Sequence, residues 1–294
     1  MALVIDGKAI AAEVRNEIKI KVSERIAAGK RTPGLAILLV GDDPASQSYV
    51  GGKGKACAEL GVYSVIERRP ENTSEEEVLS IINEWNRTPE IDGILVQLPL
   101  PKHIDENKVI LSISPDKDVD GFHPQSFGRL VIGIPGFVPC TPAGIVELLV
   151  RSQIPLKGKH VVVLGRSNIV GKPIANLLYQ KNPRANAVVT ICHTAAPDFR
   201  VYTRQADILI AAAGVPLLIK ADDVKEGVTV IDVGINRVDD PSASKGYKIV
   251  GDVDYESVFP KAYAITPVPG GVGPMTIAML LNNTLKSIEM SENQ

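Results

Sequence analysis

Aromatic side chains are scarce in this 294-residue chain, at 4% of the total. Too few rings are present to build a surface on which successive bases stack. Basic residues do not outnumber acidic ones: 32 Lys and Arg stand against 34 Asp and Glu, with both signs interspersed. No cationic tract is available to follow a phosphate backbone, so nucleic acid is not an expected partner. Three cysteines, Cys57, Cys140 and Cys192, are widely spaced and form neither a CxxC nor a metal-ligand pattern. Three cannot all pair, so free thiols in a reducing compartment are expected. No apolar run is long enough to span a bilayer. Residues 1–6 lack the charged-then-apolar pattern of a signal peptide. A cytoplasmic protein with no membrane attachment is therefore expected. No HExxH, His pair or carboxylate cluster marks a metal site, and no GxSxG marks a serine nucleophile. The histidines are singletons: His103, His123 and His160 read as structural or exposed, and His193 alone follows a strand end in a site context.

What is present is an alternation of helix and strand patterns. Apolar residues recur at helical spacing over residues 9–28, and Gly29 stands where a helix would stop. Residues 34–40, Gly-Leu-Ala-Ile-Leu-Leu-Val, form the continuous apolar run of a buried parallel strand. Asp43-Pro44 reads as an N-cap followed by a first helical residue. A second strand is predicted over 62–67. A capping box at Ser74–Glu77 opens a helix to Trp85, and a third strand covers 92–97. Thr141 reads as the N-cap of a helix to Val150, followed by a polar break at Lys157-Gly-Lys-His160. A second series then begins: strands over 160–164, 188–192, 207–211 and 229–233, a helix over 170–179, and a closing helix over 275–288. Repeated strand–helix units of this length predict an α/β fold with parallel sheets covered by helices, divided into two domains near the helix at 141–150.

The second series opens with His160-Val-Val-Val-Leu-Gly-Arg-Ser-Asn-Ile-Val-Gly171, a strand, a tight turn and a helix start. A helix N-terminus offers N–H groups and a positive dipole end to a pyrophosphate, as a dinucleotide fold requires. The glycines, Gly165 and Gly171, do not make a GxGxxG. An NAD site usually carries an acid about 20 residues after the turn to bind the ribose 2′-hydroxyl. Here the next strand ends in His193-Thr194 with no acid, while Arg166 and Ser167 sit in the turn where they could meet a 2′-phosphate. NADP is favoured. Ala211-Ala-Ala-Gly214 and Asp232-Val-Gly-Ile-Asn236 are further strand-end loops of small residues, including Ala213, Gly214, Gly234 and Ile235, over which a cofactor could lie.

In the first half, Tyr49 and Lys53 share a helix face at i, i+4. They follow a strand, as does Gln97, so all three belong near one sheet edge, and Asp120 lies in a later loop. An amine in a partly dry cleft has its pKa lowered and can move protons near neutrality. The same helix carries Gly51, Gly52 and Gly54, each costing about 1 kcal/mol relative to Ala in a helix interior. Either close packing or a locally mobile turn would account for them. Near the C-terminus, Pro267-Val-Pro-Gly-Gly-Val-Gly-Pro-Met-Thr276 is a stiff loop running into the closing helix, shaped for a flat partner.

The chain resembles the bifunctional methylenetetrahydrofolate dehydrogenase/methenyltetrahydrofolate cyclohydrolase family. The resemblance rests on residues 40–50, 92–101, 115–122, 139–142, 165–171, 231–236 and 267–276, and it spans nearly the whole chain. It implies oxidation of 5,10-methylenetetrahydrofolate by NADP, with NAD possible, then hydrolysis of the methenyl product to 10-formyltetrahydrofolate. It implies an N-terminal α/β catalytic, folate-binding domain over 1–144, joined by a C-terminal helix over 275–294 that packs back on it. A Rossmann-type NAD(P)-binding domain would cover 145–274. Lys53 would be the principal catalytic residue of hydrolysis, tuned by Gln97, with Tyr49 orienting the folate and Asp120 holding the pterin's amino edge. Leu98, Pro267, Gly270 and Gly271 would complete the substrate site. Gly165, Arg166, Ser167, His193, Thr194, Ala213, Gly214, Gly234 and Ile235 would bind the cofactor. No metal is implied, and a homodimer is. Two departures stand out: the glycines at 51, 52 and 54, and Thr194-Ala-Ala-Pro where the family often has Ser and a basic residue. A shikimate-type dehydrogenase and a non-catalytic folate- or nucleotide-binding protein are the alternative readings.

Overall fold

The computed structural model describes residues 2–242 and 246–292. In chain order the elements of the first half are β1 (Leu3–Val4), α1 (Gly7–Ala27), β2 (Gly34–Val40), α2 (Pro44–Leu60), β3 (Tyr63–Arg69), α3 (Glu75–Arg87), β4 (Gly93–Val96), α4 (Glu106–Ser112), α5 (Pro124–Ile132) and α6 (Cys140–Arg151). The second half continues with β5 (His160–Leu164), α7 (Gly171–Leu178), β6 (Val188–Cys192), α8 (Arg200–Thr203), β7 (Ile208–Ala211), β8 (Thr229–Asp232), β9 (Asn236–Asp239), β10 (Tyr247–Val250), α9 (Tyr255–Val258), β11 (Ala264–Ile265) and α10 (Val272–Ser291). These fall into two units, one of residues 12–140 with 277–294 and one of residues 1–11 with 141–276.

The first unit is built on a three-stranded parallel sheet in the order β3-β2-β4. Every residue of β2 is buried, which is why its sequence is apolar without alternation. Ile82 and Trp85 of α3 join Leu38, Val96 and Val109 in a core on this sheet. The Ser74 hydroxyl caps α3 by accepting from the Glu77 N–H at 3.2 Å. The C-terminal helix packs here as well. The Asn283 amide donates to the carbonyls of Val119 and Val138 at 2.8 and 3.0 Å, and the Ser287 hydroxyl reaches the Asp92 carbonyl at 2.6 Å.

The second unit carries a six-stranded, all-parallel sheet in the order β1-β11-β8-β7-β5-β6. Chain order reverses at β5, with β6 on one side and β7 on the other, and that crevice at the strand carboxyl ends is where open α/β sheets take ligands. β9 and β10 form a separate antiparallel pair.

Three expectations are corrected. Residues 1–11 group with the second unit, not with residues 12–140, because Leu3–Val4 pairs with Ala264–Ile265. Thr141 is not an N-cap: α6 starts at Cys140, and the Thr141 hydroxyl lies 3.0 Å from that of Thr276. The closing helix begins at Val272, so Pro274 falls inside it. Proline is tolerated there because first-turn N–H groups have no intrahelical acceptor to lose.

Candidate functional site

In the first unit the site grows out of α2. Asp43 accepts from the Ser46 N–H at 2.7 Å and Pro44 supplies the first turn, so the start of the helix is set locally. At the other end Gly61, at φ +74°, closes it. The buried stripe runs Ser46, Val50, Lys53, Ala56, Cys57 and Leu60, at helical spacing. Lys53 therefore occupies a core position and is only 8% exposed. Tyr49, one turn earlier on α2, is 42% exposed and its ring is open to a ligand.

Gln97 leaves the end of β4 and turns its amide to Lys53. Its Oε1 accepts from Lys53 Nζ at 2.9 Å, while its Nε2 donates to the Leu98 carbonyl at 2.7 Å. The second bond fixes which end of the amide faces the amine. Burial lowers the pKa of Lys53 and the charge of Asp120 opposes the shift. Burial likewise raises Asp120, against the pull of Lys53. The pair thus holds one amine and one carboxyl whose protonated and ionised forms are closer in energy than in water. Lys53, Gln97 and Asp120 are brought together, as expected. Leu98 takes part through its carbonyl, while its side chain packs against the core beside β4.

Two participants escaped the sequence reading. Cys140 interacts with Asp120, and its buried thiol is pushed well above its ordinary pKa by burial and that carboxylate. Asp118 underlies the same loop. It accepts from the N–H groups of Phe122 and His123 at 3.1 and 2.9 Å and from the Ser126 hydroxyl at 2.6 Å, and burial pushes it up to about 6. The spacing Asp118-Val-Asp120 was visible, but nothing local distinguishes the carboxyl that supports the loop from the one that faces the amine.

The three glycines of α2 divide. A Cβ at Gly54 would meet Ile66 Cδ1 of β3 at 2.5 Å, so close packing accounts for this one. A Cβ at Gly52 would make ordinary contact with Ile277 at 3.7 Å, and one at Gly51 would meet nothing.

In the second unit the expected cofactor residues lie at the carboxyl ends of β5, β6, β7 and β8. Gly165, at φ +140°, has no room for a Cβ beside the Ala212 carbonyl. Gly171 is equally constrained by the carbonyl of Gly165. Together they draw the turn and the start of α7 against the sheet, leaving Arg166 and Ser167 exposed. The N–H groups of Val170 and Gly171 are not free, contrary to expectation. Both donate to Ser167 Oγ, at 3.1 and 3.3 Å. The hydroxyl still has its own proton to give to a phosphate oxygen. His193 is half-buried and Thr194 exposed at the end of β6. Ala213 and Gly214 are held by Asp252 after β7, and Ile235 is 53% exposed after β8. An exposed guanidinium and hydroxyl beside a glycine turn, with small residues along the neighbouring strand ends, fit a phosphorylated dinucleotide.

The Pro267–Thr276 segment belongs to the same unit. Gly270 has φ +110°, and a Cβ on Gly271 would crowd the Pro267 carbonyl at 2.6 Å, so glycine is required at both. The Leu98–Pro99 and Val268–Pro269 peptide bonds are cis. His103, His123 and His160 each make a structural hydrogen bond, to the Thr73 carbonyl, the Gln125 N–H and the Thr190 hydroxyl. Among the described residues no group of three or more His, Cys, Asp or Glu side chains is placed to hold a metal, and no helix is long and apolar enough to cross a membrane.

Comparison with known proteins places these features. Residues 5–120 match the pattern described as the catalytic domain of tetrahydrofolate dehydrogenase/cyclohydrolase, and residues 139–292 match its NAD(P)-binding domain. A bifunctional protein FolD of Chlorobium limicola is 58% identical over 293 residues, covering 99% of each chain. The crystal structure of the bifunctional FolD methylenetetrahydrofolate dehydrogenase/cyclohydrolase from Campylobacter jejuni superposes with a TM-score of 0.92 at 49% identity, covering 99% of this chain and 100% of that one. The Trypanosoma brucei enzyme, solved with NADP cofactor and inhibitor, gives 0.94 at 40% identity, covering 100% and 99%.

Proposed function

The chain belongs to the tetrahydrofolate dehydrogenase/cyclohydrolase family, and from that premise we propose that it oxidises 5,10-methylenetetrahydrofolate with NADP and hydrolyses the methenyl product to 10-formyltetrahydrofolate. The observation that carries the reading is a lysine at a core position of α2, held by Gln97 and facing the charge of Asp120.

Hydrolysis needs a water, a proton carrier and stabilisation of developing charge. Lys53 supplies the last two. Its ammonium form stabilises negative charge on the attacked carbon's oxygen, and its amine form, made accessible by burial, takes a proton. Gln97 keeps Nζ aimed by accepting one of its protons. Tyr49 offers an exposed ring to the pterin. Asp120 accepts from the pterin's amino edge, and the Asp118 bonds hold its loop in place. In the dehydrogenase step a bound nicotinamide would supply the hydride acceptor, and the chain's own task is positioning. Gly165 and Gly171 would let the turn approach the dinucleotide, and Arg166, Ser167 and Thr194 would bind its adenosine phosphate end. His193, Ala213, Gly214, Gly234 and Ile235 would hold the rest of it at the strand ends. Family resemblance also assigns Pro267, Gly270 and Gly271 to the folate, and the close packing of Gly271 on the Pro267 carbonyl keeps that segment rigid. The protein works as a homodimer in the cytoplasm, a reading supported by family resemblance and by three cysteines that are free and buried.

The test is spectrophotometric. With 5,10-methylenetetrahydrofolate, NADP should be reduced and the methenyl absorbance should then decay. Turnover of shikimate in place of the folate, or tight ligand binding with neither absorbance change, would overturn the reading.

A further inference from the structure

Two aspartates that the reaction does not use lie beneath the strand ends of the second unit. Asp232, the last residue of β8, is 3% exposed, and Asp252, just after β10, is fully buried. Asp252 Oδ2 accepts from the N–H groups of Ala213 and Gly214 at 2.7 and 2.8 Å, and its Oδ1 accepts from the Asn236 side-chain amide at 2.9 Å. Asp232 holds Asp252 in turn. Its Oδ1 accepts from the N–H groups of Gly234 and Asp252, both at 2.9 Å, and its Oδ2 from that of Val253 at 3.0 Å.

The neighbouring backbone is cut to fit these carboxylates. A Cβ at Gly251 would overlap the Asp232 carboxylate, and one at Gly234 would overlap Asp252. Neither glycine sits at a positive φ, so the demand for glycine comes from space. Two carboxylates thereby tie together the loop after β7, the loop after β8 and the segment at 251–253. Above them the rim is open: Gly214 is exposed and Ile235 is 53% exposed. Charge-assisted bonds to a carboxylate are shorter and stronger than neutral ones, and removing freedom before a ligand arrives lowers the ordering cost of binding it.

We propose that Asp252, held by Asp232, is a positioning residue for NADP, fixing residues 213–214 and 234–236 in the conformation that receives the dinucleotide. The proposal rests on the reading that the cofactor lies along these strand ends. Neither carboxyl touches the cofactor; each acts through the backbone it holds.

The test compares Asp252→Asn with Asp223→Asn in the full-length protein. Asp223 is also a buried aspartate of this unit. It accepts from Arg200 Nε and the Lys220 N–H, at 2.8 and 2.9 Å, groups that lie outside residues 212–215 and 234–236. NADP affinity is measured by titration calorimetry, below the melting transition of each variant, and amide exchange of residues 212–215 is followed alongside. Asp252→Asn should weaken NADP at least about tenfold and speed exchange at 212–215, since a neutral amide replaces a carboxylate that accepts two N–H bonds. Hydrolysis of added methenyltetrahydrofolate should stay within about twofold of the parent, as should NADP affinity in Asp223→Asn. Should Asp252→Asn fail to fold, Asn236→Ala, which removes one donor to Asp252, should still weaken NADP about threefold. Unchanged NADP affinity in Asp252→Asn, or equal weakening in both aspartate variants, would overturn the proposal. If NADP leaves exchange at 212–215 of the parent protein unchanged, the cofactor placement itself is wrong and the proposal falls with it.

Discussion

Gln97 offers two opposite perturbations of the same amine. Its Oε1 accepts from Lys53 Nζ at 2.9 Å, and that bond favours the ammonium form. A hydrogen bond to a charged group contributes about 1.5–3 kcal/mol, equivalent to a shift of about one to two pH units in a titrating group. Gln97→Leu removes the acceptor and leaves the buried ammonium less satisfied, so the inflection of the hydrolysis pH profile that reports Lys53 should move down by that amount. Gln97→Glu places a carboxylate at the same distance, so the inflection should move up. Both variants lose the 2.7 Å bond to the Leu98 carbonyl, so absolute rates will fall in each, and the pH profile is the quantity to compare. The assay is decay of methenyltetrahydrofolate absorbance across pH, corrected for the spontaneous reaction. Shifts in the same direction for the two variants, or none in either, would refute the assignment of the titrating group to Lys53.

Arg166→Ala should lower the preference for NADP over NAD by about 10- to 100-fold in kcat/KM, the value of one charge-assisted phosphate contact; equal use of both cofactors by the parent would refute its role. Gly51→Ala should stabilise the protein by up to about 1 kcal/mol, since a Cβ there meets nothing and the helix gains propensity; urea unfolding measures it, and a loss of stability would contradict the open geometry. Asp118 is raised from 3.8 to about 6, so the folded state binds a proton that the unfolded state releases between these values. Stability should therefore fall as pH rises from about 4 to about 6, by on the order of 3 kcal/mol from this group, and Asp118→Asn should flatten that slope.

Much of the fold was legible because its central strands are buried on both faces. The apolar runs at 34–40 and 160–164 coincide with β2 and β5 to the residue, and 188–192 matches β6 as well, an edge strand that is mostly exposed or half-buried and shows itself by its β-branched residues. The shortest strands were not. β1 and β11 have two residues each, too few to show a period, and they exist because they pair with each other and β11 pairs with β8. Capping signals were readable at Asp43 and Ser74, where the partner lies three residues away, and misleading at Thr141, whose hydroxyl meets Thr276, 135 positions on. The grouping of Lys53, Gln97 and Asp120 came through the family resemblance as much as through spacing. What no local pattern disclosed is support at a distance: Cys140 against Asp120, and Asp232 with Asp252 under three loops. The paired signal is Asp232-Val-Gly234 and Gly251-Asp252, an acid within two residues of a glycine at both places.

The most direct test of the account is hydrolysis of methenyltetrahydrofolate by Lys53→Met, with NADP binding measured on the same preparation. Methionine fits the buried position without an amine, and loss of a proton-transferring group typically costs about 10²–10⁴-fold in rate. The account predicts loss of hydrolysis on that scale with NADP affinity unchanged. Hydrolysis at the parent rate would contradict it.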